Sequence, residues 1–237
     1  MEKYNEFLSR ISYQQAELQI RDGDFIPNER VLQKVNPDNS FKSFYGDTVV
    51  FDLPKNVKKA IVPILDELYE KCPECFCQRL DPHTMHMTLH DLNASDNLSE
   101  IACDVFSNEI KLLKVLEKNP VEHHKIKMKP NFIVNMVDTS IVLTLVPDDE
   151  DEWNKLQALY DMINEVRVCG YPFLTPHITL AYFNYNGFDK ASSDKLKEVV
   201  TSLNEKLDIE IHLDTKKLYY QKFVSMNEYI NIFSLAD

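Results

Sequence analysis

Apolar positions along the chain fall into two kinds of run. Dense β-branched and apolar stretches at 47–53, 85–92, 140–146 and 176–183 read as strands. Between them, Val57, Ile61, Ile64, Leu65 and Leu68 recur at helical spacing, as do Ile101, Val105, Ile110, Leu113 and Leu116. Pro54 stands where the first turn of a helix tolerates it, and Asn119-Pro120 stops the second helix. A third helix opens in the acidic run 148–152, which suits the positive end of a helix dipole, and a fourth covers about 189–207. Short strands are predicted near 125–129, 132–137, 209–213, 218–224 and 228–233. Tyr4, Leu8, Ile11 and Leu18 define a short N-terminal helix, which Asp22-Gly23-Asp24 breaks. An irregular polar stretch then runs to about residue 45.

The order strand, helix, strand, helix occurs twice. Val49 and His86 lie 37 residues apart (86 − 49), and Ile141 and His177 lie 36 apart (177 − 141). This spacing predicts an internal duplication of structure with little identity of side chains. The expected fold is α+β, with two pseudo-symmetric lobes of antiparallel-leaning sheet, outer helices and a central cleft. Residues 1–45 form an N-terminal extension, and 46–237 form the bilobal domain, with lobes at about 46–138 and 139–237.

The formal charge of −12 changes what such a cleft can bind. Affinity for duplex DNA rests on neutralising phosphates, so this average field excludes it as a partner but allows a small anion in one local cleft. No stretch approaches the ~20 apolar residues of a membrane span, and the N-terminus lacks the pattern of a secretion signal. The five cysteines, three of them crowded into 72–77, suggest reduced thiols in a cytoplasmic protein. Cys72, Cys75 and Cys77 with His83 invite a zinc reading, but no second ligand pair follows, and no metal or cofactor is expected. Nothing resembles an oligomerising seam, so a monomer is expected.

The chemistry concentrates in the duplicated strand. It reads His86-Met87-Thr88-Leu89 in the first half and His177-Ile178-Thr179-Leu180 in the second. Side chains at i and i+2 of a strand share a face, so each half buries Met/Leu or Ile/Leu and offers an imidazole and a hydroxyl on the other side. Two such tetrapeptides arise by chance roughly a few times in ten thousand sequences of this composition. Paired imidazoles, with ordinary pKa near 6.5, can hold opposite protonation states near neutral pH. One then takes a proton from an attacking oxygen while the other gives one to a departing oxygen. The threonine hydroxyls can donate to charge building on phosphate oxygens.

This pattern resembles the two-histidine (2H) phosphoesterase superfamily, whose signature is a pair of His-x-Thr/Ser-x motifs on strands of two pseudo-symmetric lobes. The resemblance covers roughly residues 46–234, and 176–180 looks especially similar to the second motif. It implies His86 and His177 as acid and base, in an order left open, and Thr88 and Thr179 as phosphate-oxygen donors. It also implies the substrate class: a small nucleotide or RNA end carrying a 2′,3′-cyclic phosphate or a 2′,5′ linkage. The alternative is a nucleotide- or RNA-end-binding module that keeps the cleft without turnover.

Other candidates are weaker. His90 falls on the same strand face as His86 and Thr88 by period two, so it is a candidate substrate contact. Tyr171 and Phe173 precede the second motif and are candidates for stacking a base. His123, His124, Lys125, Lys127 and Lys129 form a basic patch, read most simply as a solvated edge strand. Tyr219, Tyr220 and Tyr229 read as sheet residues.

Overall fold

A computed structural model describes residues 2–167 and 173–236. Eight strands form one antiparallel sheet: β1 (Tyr45–Asp52), β2 (His86–Ser95), β3 (Lys125–Met136), β4 (Ser140–Pro147), β5 (His177–Tyr182), β6 (Ile211–Asp214), β7 (Leu218–Ser225) and β8 (Glu228–Ser234). Their order is β6-β3-β4-β5-β2-β1-β7-β8. The helices are α1 (Tyr4–Glu17), the single turn α2 (Glu29–Leu32), α3 (Lys55–Lys71), α4 (Leu98–Lys118), α5 (Glu150–Asn164) and α6 (Lys190–Asn204). This is the α+β fold expected. The sheets of the two halves are joined edge to edge, and the pair Met87↔Ile178 ties β2 to β5 at the centre.

Moving outward from that pair, β1 matches β4, β7 matches β3, and β8 matches β6. The halves of the sheet are therefore not the halves of the sequence. β3 leaves the first half of the chain to lie beside β4, and β7 and β8 return to lie beside β1. β3 sits between β6 and β4, so the basic patch is not an edge strand. Lys127 and Lys129 both pair with Asp148.

The predicted periodicity packs α3, but α4 turns a different face inward: Ile101, Asn108, Leu112 and Val115 are buried, while Ile110 and Leu113 of the predicted stripe are exposed. Val57, Ile61, Leu65 and Leu68 of α3, Leu112 of α4, Leu156 and Ile163 of α5 and Leu196 of α6 are buried in one core with Met87, Leu89, Ile178 and Leu180. Burying each such side chain contributes about 1.5–3 kcal/mol. Caps fix the helix starts: the Asn97, Asp149 and Asp189 side chains accept backbone N–H bonds at α4, α5 and α6. Helices α3 to α6 cover the face of the sheet that bears Met87 and Ile178. The face bearing His86 and His177 is left for the cleft.

The N-terminal extension is bound to this body. Phe7 of α1 stacks on the buried Trp153 of α5 with ring centroids 4.1 Å apart. Phe25 bridges to Phe188, and Val31 and Val35 pack against Cys77. The segment thus reaches the rim of the cleft and supplies part of its wall.

Candidate active site

The central pair Met87↔Ile178 brings the two motifs side by side. Both core-facing neighbours, Met87 and Ile178, are fully buried, so His86, Thr88, His177 and Thr179 turn to the opposite face. All four border one cavity of about 530 Å³, together with Lys34, Phe44, Asp91, Tyr182 and Tyr229. The two motifs predicted from the sequence are thereby brought together.

Each imidazole is oriented in the same way. Nδ1 of His86 lies 2.6 Å from the Thr84 carbonyl, and Nδ1 of His177 lies 2.7 Å from the Thr175 carbonyl. A carbonyl only accepts, so each Nδ1 carries the proton and each neutral ring leaves Nε2 with a free lone pair. Burial is the main influence on His86 and pushes its pKa below 6.5, partly opposed by the Thr84 bond and by Asp91. His86 is thus neutral at neutral pH, the form a general base requires. The Tyr229 ring meets it edge-on at 4.8 Å. Burial keeps the phenols of Tyr182 and Tyr229 protonated, so they offer donors rather than charge.

His90 does not border this cavity; it lines a second one beside it, with Thr88 and His177. A β-bulge interrupts the β1–β2 ladder: Val50 pairs with Thr88, but Val49 pairs with His90, leaving Leu89 extra. An extra residue reverses the side-chain alternation beyond it. His90 consequently turns to the helix side, 1% exposed, with Nε2 2.9 Å from Asn164 Oδ1 and its ring stacked on Tyr160. Asp91 takes the place on the cleft face. The second motif repeats this: Val142 pairs with Thr179 and Ile141 with Ala181, so Tyr182 occupies the position equivalent to Asp91. Period two alone could not show either bulge.

Phe173 lies half exposed at the mouth of an adjoining cavity of about 360 Å³, with the Arg10 guanidinium over its ring at 5.4 Å. This cavity meets the first at Lys34, Thr88, Asp91 and His177. Tyr171 lies outside the described residues. Cys72, Cys75 and Cys77 are buried free thiols, and among the described residues no group of three or more His, Cys, Asp or Glu side chains could hold a metal ion. No helix among them is long and apolar enough to cross a membrane.

Lys34, Phe44, Asp91, Tyr182 and Tyr229 of the cleft were not read from the sequence as such. Lys34 comes from an irregular stretch with no periodic signal. Asp91 and Tyr182 each stand five positions beyond a motif histidine, a parallel visible in the sequence but meaningless without the bulges.

No family model matches the chain, and no curated protein sequence does. Its fold is similar to that of the crystal structure of a conserved protein of unknown function, ATU0111 from Agrobacterium tumefaciens str. C58. That match has a TM-score of 0.71 and 14% identity, and covers 89% of this chain and 94% of that one. Escherichia coli LigT complexed with NADP+ matches with a TM-score of 0.47 and 16% identity, over 82% of this chain and 99% of that one. TT0787 of Thermus thermophilus matches with a TM-score of 0.48 and 14% identity, over 81% of this chain and 98% of that one.

Proposed function

We propose that this chain is a two-histidine phosphodiesterase that hydrolyses a small nucleotide or RNA end, a 2′,3′-cyclic phosphate or a 2′,5′ linkage, without a metal. The observation that carries the reading is the matched pair of His/Thr sets, each imidazole pinned through Nδ1, on adjacent strands facing one cavity.

In this mechanism the substrate phosphate lies between the two imidazoles. Neutral His86 takes a proton from the attacking water through Nε2 as the new P–O bond forms. Protonated His177 delivers its Nε2 proton to the departing ribose oxygen as the old P–O bond breaks. The carbonyl of Thr175, accepting from Nδ1, fixes the orientation of the His177 ring and leaves Nε2 for the substrate. Thr88 and Thr179 donate to the non-bridging oxygens, where charge concentrates in the transition state. Water, substrate and the two protons balance, and the imidazoles end with exchanged protonation states that solvent resets.

The test is turnover, in EDTA, of a panel of nucleoside 2′,3′-cyclic phosphates, a 2′,5′-linked dinucleotide and a 3′,5′-linked control. Hydrolysis of at least one of the first two classes, abolished in both His86→Ala and His177→Ala, is expected. Tight binding of a panel member without product would instead identify a binding module.

A further inference from the structure

We propose that Lys34, carried by the N-terminal extension, is the cation that neutralises the substrate phosphate, which makes the extension a catalytic part of the site. The inference rests on the phosphodiesterase reading and adds to it a charge that neither duplicated motif supplies.

The Lys34 backbone is held at both its amide and its carbonyl. Its N–H donates to the Val31 carbonyl at 2.9 Å, and its carbonyl accepts from Lys42 N–H at 2.8 Å. Its neighbours Val31 and Val35 are fully buried. The side chain therefore leaves a pinned backbone and enters the cavity, where Nζ lies 5.1 Å from the ring centroid of Tyr182 and 5.3 Å from that of Phe44. Aromatic faces hold a cation by about 0.5–2 kcal/mol but leave its charge unneutralised. Among the described residues Lys34 makes no ion pair, whereas Lys42, Lys58, Lys71 and Lys222 each pair with a carboxylate. Burial, the main influence, pushes the Lys34 pKa down and Arg30 adds to this, while Asp91 opposes both by favouring the charged form.

Lys34 borders both cavities at the place where they meet, with Thr88 and His177. A phosphodiester there would gain a charge-assisted contact that water cannot screen fully. In a chain of formal charge −12 Lys34 supplies a local cation for an anion, with Arg30 and Arg167 also on the wall of the first cavity. Tyr182 follows Thr179 on β5 and Phe44 precedes β1, so Nζ lies between rings from the two halves of the sheet.

The experiment compares the parent with Lys34→Met, which keeps the stem, and Lys34→Arg, which restores charge. Inorganic phosphate is titrated calorimetrically against each, and turnover of the best panel substrate is measured alongside. Expected are phosphate binding weakened at least about tenfold and kcat/KM lowered about 10²-fold in Lys34→Met, with partial recovery in Lys34→Arg. Phosphate binding and turnover in Lys34→Met within about twofold of the parent would overturn the role while leaving the two-histidine reading intact. A parent without turnover would refute that reading, and the titration alone would then decide Lys34. Absence of phosphate binding by the parent, or unchanged binding in Lys34→Met, would overturn it. Unaltered thermal unfolding of Lys34→Met separates lost charge from lost fold.

Discussion

Replacing Arg10 by Met should both destabilise the protein and slow it. The guanidinium pairs with both carboxylate oxygens of Glu2 at 2.8 Å, and donates to Thr175 Oγ at 2.9 Å and to the Leu174 carbonyl at 2.8 Å. It also lies over the rings of Phe7 and Phe173. The side chains of Arg10 and Glu2 are only 17% and 6% exposed, so solvent screens the pair weakly. Removing one partner of a buried pair leaves the other charge uncompensated and costs about 3–5 kcal/mol. At about 2–4 °C per kcal/mol for a chain of this size, Tm should fall by about 6–20 °C. Thr175 also presents the carbonyl that orients His177, so kcat should drop about tenfold or more while KM changes little. Calorimetry and steady-state kinetics on Arg10→Met, and on Arg10→Met combined with Glu2→Gln, separate the effects. The double variant should recover much of the stability, because no buried charge is left alone, but not the rate. A Tm within about 1 °C and a kcat within about twofold of the parent would refute the reasoning.

Further outcomes follow from other residues. Thr88→Ala and Thr179→Ala should each cost about 10²–10³-fold in kcat, as loss of a donor to a developing oxyanion does, with Tm little changed. His90→Ala should lower Tm by losing the Asn164 bond and the Tyr160 contact but leave kcat within a few fold; a collapse of kcat at unchanged Tm would place His90 in the chemistry after all. Asp47 is buried, with Oδ2 accepting from Asn108 and Tyr220, and burial pushes its pKa from 3.8 up to about 6. A raised carboxyl pKa contributes stability that is complete below the unfolded value and lost as pH rises through about 6. Asp47→Asn should therefore stabilise the protein at pH 8, by up to about 3 kcal/mol, and flatten its stability between pH 4 and 6. Equal unfolding free energies for the two proteins at pH 8 would contradict this.

The sequence shows the fold class, the four long helices and the two His/Thr sets because these depend on local periodicity and on a repeated motif. Helical spacing at Val57, Ile61 and Leu65 and the alternation at His86, Met87 and Thr88 report burial directly. Long-range pairing leaves no such local mark. The return of β7 and β8 to β1, and the flanking of β3 by β6, follow from which edges meet, and the spacing of apolar residues is silent on that. The bulges at Leu89 and Leu180 are one-residue insertions in a ladder, so they moved His90 off the cleft and put Asp91 and Tyr182 onto it without changing composition or pattern. Lys34 and Tyr229 are further from legibility. They approach the site through tertiary packing of a polar segment and an edge strand, where a lysine or a tyrosine looks like any surface residue.

The most direct test of the central claim is the pH dependence of kcat/KM from about pH 5 to 9, in EDTA, for the parent, His86→Ala and His177→Ala. The parent should show a bell, with its acid limb below pH 6.5 because burial lowers the pKa of His86. Each variant should lose about 10²–10⁴-fold, with the limb belonging to the missing imidazole gone. A parental profile that survives either substitution, with kcat/KM within about tenfold, would contradict a mechanism in which the two imidazoles trade the proton.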